Sequence, residues 1–335
     1  MKYCNLILIL FLCSFTFTFV SCEKKSETKG TVEEPVSSLD SVISSGAKFE
    51  IASDGYKFDT AGSPLYVNGE IYFTNNNFNP PEKSWTMKMG ASGAFEVLRK
   101  NNGVTTAMRH SGNVTIYCCE MLGHRVIEMG RNGKVLRIVC DSYNGKRIDG
   151  PNDLIVDRQG GIYFTDSQFI GDQEKMQETP AVYYVKSDGS VMRVIDDIEF
   201  PNGIALSPDE KTLYVANTPG KYLLAYDVLP DGTVTNKRNF VELQLSEENI
   251  KKGSETGGAD GMTVDSAGNI FVATTQGLGI QVFNSRGDHL GNIPCPTATN
   301  NCNFGGNDLK TLYISAMDGI YRIPVKIPGL KQPQS

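Results

Sequence analysis

The chain has 335 residues, of which 40% are hydrophobic and 21% charged, a composition typical of a globular protein with a substantial core. This composition excludes a wholly disordered or collagen-like chain. The 32 basic and 38 acidic residues give a net charge of −6, which argues against nucleic-acid binding through a basic face. The 34 glycines favour a fold with many tight turns.

Residues 1–21 have the pattern of a signal peptide. Lys2 precedes an apolar stretch from Leu6 to Val20, and the chain becomes polar after Cys22. The stretch is shorter than the ~20 apolar residues that a membrane span needs. Residues 19–22, Phe-Val-Ser-Cys, resemble a bacterial lipobox, which implies lipidation of Cys22; a plain secretory signal is the alternative. We therefore expect a lipoprotein of the bacterial cell envelope, held at the outer membrane by this lipid alone and facing the periplasm or the cell surface.

Residues 22–46 are rich in Lys, Glu, Ser and Thr, so they are predicted to form a flexible tether. Among the later cysteines, Cys295 and Cys302 are the predicted disulfide pair, because export permits disulfides and the loop between them is short. Cys118 and Cys119 would point to opposite faces of a strand, and at least one is expected to be a buried small hydrophobic residue. No cysteine or histidine spacing is typical of a zinc site.

Beyond residue 46, a short β-type pattern recurs six times. Its spacing of 42 to 57 residues lies in the range of propeller blades. The segment from Leu243 to Lys252 is predicted to form one turn of helix at most. The six recurring triplets are Ile71-Tyr72-Phe73, Ile116-Tyr117-Cys118, Ile162-Tyr163-Phe164, Leu213-Tyr214-Val215, Ile270-Phe271-Val272 and Leu312-Tyr313-Ile314.

The predicted fold is all-β: a six-bladed β-propeller over residues 47–328, with four antiparallel strands in each blade. The last repeat lacks an outer strand, and we expect the N-terminal segment Ala47 to Ala52 to supply it and close the ring. Two-residue turns are expected within blades, because both central residues of such turns tolerate positive φ. These turns are Asn132-Gly133, Asp188-Gly189 and Asp231-Gly232.

Polar segments recur about ten residues before each triplet, where the chain enters the innermost strand of a blade. Innermost strands line the central channel, so these positions converge at one mouth of it. Asn202 and Asp260, with Asn152 nearby, offer oxygens that suit a hard divalent cation such as Ca²⁺; a structural role as turn formers is the alternative. The segments begin at Gly62, Thr106, Pro151, Pro201, Ala259 and Asn300.

Other catalytic patterns are scarce in the sequence. It has no Gly-x-Ser-x-Gly elbow, no HExxH motif and no phosphate-binding glycine loop. His124 follows Glu120 and is a candidate to face the channel, although a lone histidine is more often a surface or core residue.

Several longer motifs resemble the SMP-30/gluconolactonase/LRE-like family, and the similarity spans roughly residues 55 to 325. The resemblance implies a six-bladed propeller that binds one divalent cation, usually calcium, at the channel mouth and hydrolyses a sugar lactone to its aldonic acid. The matching segments are Gly145–Val156, Gly161–Asp166, Pro201–Lys211, Asp260–Asp265, Phe304–Gly306 and Thr311–Ile314.

The resemblance also implies roles for individual residues. Asn202 and Asp260 fall on metal-ligand positions, and Asp260 also falls on the position of the acid/base. Asn152 falls on a position that faces both substrate and metal, and Thr106 replaces an asparagine at a substrate-facing position. The cation would polarise the lactone carbonyl while Asp260 orients or deprotonates the attacking water.

One departure from the family concerns the first blade, where Gly62 replaces a metal-binding glutamate. Unless Asp59, Glu70 or Glu120 reaches the mouth, one carboxylate remains and cation affinity should fall.

Three hypotheses for the function follow: a metal-dependent lactone hydrolase, a non-catalytic propeller that binds a carbohydrate or a protein, and a scaffold with a blocked or apolar channel. A carboxylate beside Gly62 would favour the hydrolase, and an empty or apolar space would favour the binding propeller.

Overall fold

A computed structural model describes residues 38–111, 115–168 and 174–331. The predicted signal peptide, Cys22 and the tether up to residue 37 lie outside the described residues. The strands are β1 (Glu50–Ile51), β2 (Ala61–Val67), β3 (Glu70–Asn75), β4 (Trp85–Met89), β5 (Phe95–Lys100), β6 (Thr105–His110), β7 (Thr115–Glu120), β8 (Arg125–Gly130), β9 (Val135–Cys140), β10 (Ser142–Tyr143), β11 (Lys146–Arg147), β12 (Pro151–Val156), β13 (Ile162–Asp166), β14 (Ala181–Val185), β15 (Val191–Ile195), β16 (Pro201–Leu206), β17 (Thr212–Asn217), β18 (Tyr222–Val228), β19 (Val234–Glu242), β20 (Ala259–Val264), β21 (Ile270–Thr274), β22 (Gly279–Phe283), β23 (His289–Ile293), β24 (Thr299–Gly305), β25 (Thr311–Ala316) and β26 (Gly319–Pro324).

The strands form six antiparallel sheets of four, and each sheet is one propeller blade. Blades one to five are β2–β5, β6–β9, β12–β15, β16–β19 and β20–β23, with the innermost strand first. The innermost strands β2, β6, β12, β16, β20 and β24 contact one another in a closed cycle, so they surround a central channel. The predicted six-bladed propeller is therefore confirmed.

Blade six is built from both ends of the described chain, with the order β1-β26-β25-β24. Glu50 pairs with Arg322 and Ile51 with Tyr321, so the N-terminal strand closes the ring as predicted. The strand is shorter than the segment Ala47 to Ala52 that we expected to form it. Ser53 continues the attachment, because its Oγ accepts a hydrogen bond from the buried Ile320 N–H at 2.9 Å.

Apolar packing between neighbouring blades makes up the core, and it follows the recurring triplets. In β13 and β21 every residue is buried, as expected for strands covered on both faces. Cys118 packs in the cluster that contains Tyr72 and Met108, whereas Cys119 packs in a different cluster with Leu154. Both thiols are buried, and their opposite directions agree with the alternation predicted for adjacent strand residues.

The packed region begins earlier than the composition suggested. Residues 38–46 were expected to belong to the tether, but Leu39–Ser41 form a 3₁₀-helix. Val42 and Ile43 are buried in the cluster formed by the last two blades, with Leu39 packed against it. Their spacing of three and four residues from Leu39 is that of an amphipathic helical turn, which is long enough to pack although the surrounding sequence is polar.

Helical structure is minor, as predicted from the periodicity. The one α-helix in the described ranges, α1, spans Glu247–Lys251, inside the segment expected to form a single turn. A second 3₁₀-helix covers Pro81–Lys83. Within the described part of the chain, no helix has both the length and the apolar character needed to cross a lipid bilayer.

The hairpin turns differ from the two-residue turns that we predicted. Gly133, Gly189 and Gly232 adopt positive φ, at 81°, 87° and 87°, whereas the Asn or Asp before each does not. In the Asp188-Gly189 hairpin, Lys186 N donates to Ser190 O at 2.9 Å around a three-residue loop. A type I turn followed by a left-handed glycine explains this geometry, so only the glycine needs positive φ.

The predicted disulfide between Cys295 and Cys302 is wrong, since both thiols are free. Cys302 is fully buried on β24, where its Sγ donates to Phe271 O at 3.4 Å. Cys295 Sγ instead donates to Ile293 O, on its own side of the loop, at 3.7 Å. A short separation in sequence therefore did not bring the two thiols into bonding position.

The attachment of the N-terminal segment to blade six can be tested with Ser53→Ala. The substitution leaves the buried Ile320 N–H without its side-chain acceptor, so we expect the free energy of unfolding to fall by about 1–3 kcal/mol in urea denaturation. Ser45→Ala, at an exposed position, is the matched control and should leave the unfolding free energy within about 0.5 kcal/mol of the wild type. Equal stability of the two variants would contradict this role for Ser53.

Candidate functional site

The predicted site positions share one register in the structure. Each is the second residue of an innermost strand, and we call the end of the channel where these strands begin the start mouth. They therefore lie within strands and not in the loops that the sequence suggested. The six residues are Gly62, Thr106, Asn152, Asn202, Asp260 and Asn300.

A β-bulge near the beginning of every innermost strand accompanies this register. In blade four, Pro201 pairs with Asn217 but the next pair is Ile204 with Val215, so the inner strand has one extra residue. The same irregularity occurs at the same place in the other five blades. Bulges redirect side chains and are frequent beside functional sites. They explain why short segments such as Asn202-Gly203 resemble turns in the sequence.

Two glycines allow neighbouring blades to approach closely at this mouth. A Cβ on Gly203 would lie 2.1 Å from Asp260 O, and a Cβ on Gly261 would lie 2.2 Å from Asn301 Cγ. Neither glycine has positive φ, so space and not backbone conformation requires glycine here. The close approach places the residue pairs 202–203 and 260–261 of adjacent blades against each other.

A series of hydrogen bonds links successive blades around the start mouth. In each, a side chain donates to a backbone carbonyl near the beginning of the next innermost strand. Thr106 belongs to this series, since its hydroxyl donates to Asn152 O; its predicted contact with substrate stays a prediction. The bonds are Asn76 Nδ2 to Thr105 O at 2.9 Å, Thr106 Oγ1 to Asn152 O at 2.6 Å, Thr165 Oγ1 to Asn202 O at 2.8 Å, Thr218 Oγ1 to Ala259 O at 2.8 Å and Asn300 Nδ2 to Ala61 O at 2.6 Å.

Asp260 is the carboxylate of the start mouth, where it is partly exposed. Burial of its carboxyl group and the negative charge of Asp153 raise the pKa of Asp260 to about 7, against the opposing effect of the Asn202 amide and the Gly261 N–H. A carboxyl group with a pKa near neutrality can both accept and return a proton, which suits general acid/base chemistry.

Asn202, 5% exposed, supplies an unpaired oxygen beside Asp260. Its Nδ2 donates to Thr218 Oγ1 at 3.0 Å, but its Oδ1 has no hydrogen-bond partner among the described residues. A buried acceptor without a partner is costly, so this oxygen is available to a ligand. Asn152 is 9% exposed at the corresponding position of blade three.

A buried ion pair lies directly below these residues, and the sequence analysis missed it. Arg109 on β6 and Asp153 on β12 are 2% and 1% exposed, and Nη2 of the arginine is 3.1 Å from Oδ1 of the aspartate. The same Nη2 donates to Met262 O on β20 at 3.4 Å, so the guanidinium reaches across the channel from blade two to blade five. The pair thus spans the channel beside the start mouth.

The space beside Gly62 contains neutral polar groups. A Cβ on Gly62 would lie 2.7 Å from Thr74 Oγ1 and 3.2 Å from Asn76 Nδ2. Ser63 Oγ, Thr74 Oγ1 and Asn76 Oδ1 are buried and have no hydrogen-bond partner among the described residues. The surroundings are thus neither the carboxylate nor the apolar space that the two leading hypotheses anticipated.

The three acidic residues considered as substitutes for the missing glutamate have other partners. Glu120 is fully buried between Arg99 and Arg125, and Glu70 pairs with Lys88 and Arg131. Asp59 is exposed near the beginning of β2, where its Oδ2 accepts from Asn75 Nδ2 at 3.2 Å.

A polar network that includes His124 lies just before Asn152 in the chain. Asp166 accepts hydrogen bonds from the N–H groups of Asp149 and Gly150, and burial raises the pKa of Asp166 to about 6. His124 Nδ1 donates to Asp149 O and so connects blades two and three. The histidine therefore has a structural partner.

The donor set at this mouth is compatible with a hard divalent cation. Asp260 offers a carboxylate, and the unpaired Asn202 Oδ1 and the Asn152 amide offer neutral oxygens of the kind that Ca²⁺ accepts. No group of three or more His, Cys, Asp or Glu side chains arranged to hold a metal occurs in the described ranges. A cation here would thus depend on one carboxylate and on amide oxygens.

The close contact between Gly62 and Thr74 predicts a coupled pair. Gly62→Ala should lower the free energy of unfolding by about 1–3 kcal/mol, because the new Cβ would lie 2.7 Å from Thr74 Oγ1. Thr74→Ala removes a hydroxyl that has no partner and should cost less than about 1 kcal/mol.

The double variant should then be nearly as stable as Thr74→Ala alone, in urea denaturation of all four proteins. Additive effects of the two substitutions would show that the contact does not restrict position 62.

Comparison with known proteins identifies a family with this propeller fold. The family model described as SMP-30/Gluconolactonase/LRE-like region matches residues 68–318. A gluconolactonase from Zymomonas mobilis is 28% identical over 302 residues, which cover 79% of this chain and 80% of that protein. The solved structure of a gluconolactonase from Xanthomonas campestris has a TM-score of 0.74 at 26% identity, covering 86% of this chain and 92% of the other. That of a calcium-binding regucalcin from Agrobacterium tumefaciens has a TM-score of 0.69 at 18% identity, covering 86% and 97%, which supports the fold alone. The chain belongs to the SMP-30/gluconolactonase/LRE-like family.

Proposed function

We propose that the protein hydrolyses the lactone of a small sugar at the start mouth, with Asp260 as the acid/base. The observation that carries the proposal is the juxtaposition of Asp260 and Asn202, a carboxylate beside an unpaired amide oxygen, at the same register of adjacent blades. The gluconolactonases among the similar proteins support a sugar lactone as the substrate.

In the proposed reaction, Asp260 accepts a proton from water as the water oxygen bonds to the lactone carbonyl carbon. The bond between that carbon and the ring oxygen then breaks, and Asp260 returns the proton to the departing oxygen, which leaves an open-chain hydroxy acid. Asn152 and the partly exposed Thr106 would contact the substrate hydroxyls. Below them, the buried Arg109 and Asp153 span the channel, and we expect substrate to enter and product to leave through the start mouth.

We further propose that Asn202, Asp260 and Asn152 hold a divalent cation, with calcium the ion that best suits these oxygens. When bound, it would act as a Lewis acid toward the lactone carbonyl. The regucalcin likeness suggests such an ion but concerns another protein. Lipidation of Cys22 and attachment to the outer membrane also remain proposals, since that residue lies outside the described ranges.

A non-catalytic propeller that binds a carbohydrate or a protein is the second candidate. The neutral surroundings of Gly62 favour it, because the groups nearest to this position are a hydroxyl and an amide and not a carboxylate. The two candidates differ in whether any sugar lactone is turned over.

The catalytic role of Asp260 can be measured with a pH indicator that follows acid release from glucono-1,5-lactone and other sugar lactones. Asp260→Asn should lower kcat by about a hundredfold or more, because the proton acceptor is lost. Asp231→Asn is the matched control and should leave kcat unchanged, since Asp231 is exposed in a hairpin turn. Full activity of Asp260→Asn would overturn the assignment. A wild-type protein that binds the sugars without hydrolysing any lactone would favour the second candidate.

The cation can be tested separately from activity by calorimetric titration of Ca²⁺ into protein treated with a chelator. We expect one site, weakened about tenfold or more by Asn202→Leu, which removes the unpaired Oδ1. Asn239→Leu, at an exposed position of β19, serves as the control and should bind Ca²⁺ like the wild type. Absence of a binding site, together with lactone hydrolysis that survives the chelator, would contradict a bound cation.

A further inference from the structure

A cavity opens at the opposite end of the channel from the predicted site. Its volume is about 510 Å³, which is in the range of small-molecule sites. The innermost strands of all six blades line it near their last residues, and we call this end the end mouth. Asn152, Asn202, Asp260 and Thr106 do not line it.

The buried ion pair lies between the two ends of the channel. Arg109 lines the cavity of the end mouth, whereas its partner Asp153 does not. The negative charge of Asp153 instead raises the pKa of Asp260, which belongs to the start mouth. Of the two charged residues, only the cationic one therefore borders the cavity.

A residue that lines this cavity also carries a hydrogen-bond donor without an acceptor. Asn303 lines the cavity from β24 and is 6% exposed. Its Nδ2 is buried and has no hydrogen-bond partner among the described residues. Buried amide donors are almost always paired in folded proteins, so an unpaired one that lines a cavity indicates a place for an acceptor.

The rim and walls of the cavity define the rest of the ligand. Arg158 and Lys331 add positive charge, and the one carboxylate of the lining, Glu210, accepts a hydrogen bond from Arg158 N at 3.1 Å and pairs with its guanidinium. Apolar side chains also line the cavity, among them Leu65, Ile155, Leu206, Val264 and Phe304. The lining therefore combines hydrogen-bond donors and positive charge with apolar surface.

We propose that the end mouth is a second ligand site, for a small organic anion with a carboxylate on an apolar body. The carboxylate accepts a hydrogen bond from Asn303 Nδ2 and faces Arg109, and the apolar body packs against the walls. This site does not depend on the lactone hydrolysis proposed for the start mouth, from which the ion pair separates it.

Benzoate is a suitable probe, since it joins a carboxylate to an apolar ring, and benzyl alcohol is its neutral counterpart. By calorimetric titration, we expect benzoate to bind the full mature chain at one site with a Kd of about 1 mM or tighter, and benzyl alcohol to bind about tenfold more weakly. Asn303→Ala should weaken benzoate about tenfold, and Asn303→Asp should abolish binding, because a carboxylate then faces the anion.

Two control variants locate the site. Asn307→Ala changes an asparagine at the rim whose Oδ1 accepts from the Tyr66 hydroxyl, and it should leave benzoate affinity within about twofold of the wild type. Asp260→Asn alters the start mouth and should also have no effect. The proposal is overturned if the wild type does not bind benzoate, if benzyl alcohol binds equally well, if the Asn303 variants bind like the wild type, or if Asp260→Asn abolishes binding.

Discussion

The hydrogen bonds that pass from blade to blade around the start mouth are the constraint on which the site depends. Apolar packing holds the blades together, but it is non-directional and tolerates small shifts of one sheet along another. A hydroxyl or amide that donates to one particular carbonyl fixes the height of the next innermost strand. The bond from Asn300 Nδ2 to Ala61 O joins the last blade to the first, and the bonds of Thr299 Oγ1 with the backbone of Thr274 join blades five and six, so the heights of all the innermost strands are interdependent.

This common height allows residues that are far apart in sequence to act together. Asn202 and Asp260 occupy equivalent positions in adjacent blades. Gly203 lets their innermost strands approach so closely that a Cβ at this position would lie 2.1 Å from Asp260 O. The bulges supply the extra residue that turns these side chains to the mouth. The same shared height leaves the last residues of the innermost strands around one cavity at the other end.

Much of the fold could be predicted because the second strand of each blade is covered on both faces. Such strands are short, almost continuous apolar runs, and their regular spacing gave both the number of blades and the position of the mouth. Asn152, Asn202 and Asp260 were found through this spacing, since equal distance from a repeated strand means equal height in the propeller. Closure by an N-terminal strand followed from the missing fourth strand of the last repeat.

The remaining features depend on distances that the sequence does not contain. Asp153 lies 44 residues after Arg109, and the acceptor Met262 O is a further 109 residues along, so only the width of the channel brings them together. The one signal was an arginine within an innermost strand, where side chains are mostly buried. Cys295 and Cys302 show that closeness in sequence does not ensure contact, because their thiols bond to different backbone carbonyls. Leu39, Val42 and Ile43 were overlooked because a single helical turn is a weak pattern.

The mixed origin of blade six has a consequence for the order of folding. Blades one to five each consist of consecutive strands, so each has all its partners soon after its own residues are synthesised. The strand β1 differs, because its partner β26 lies about 270 residues later; the pair Glu50 and Arg322 are 272 residues apart. The first strand of the described chain to be made is therefore the last to find its place, and until then the ring stays open.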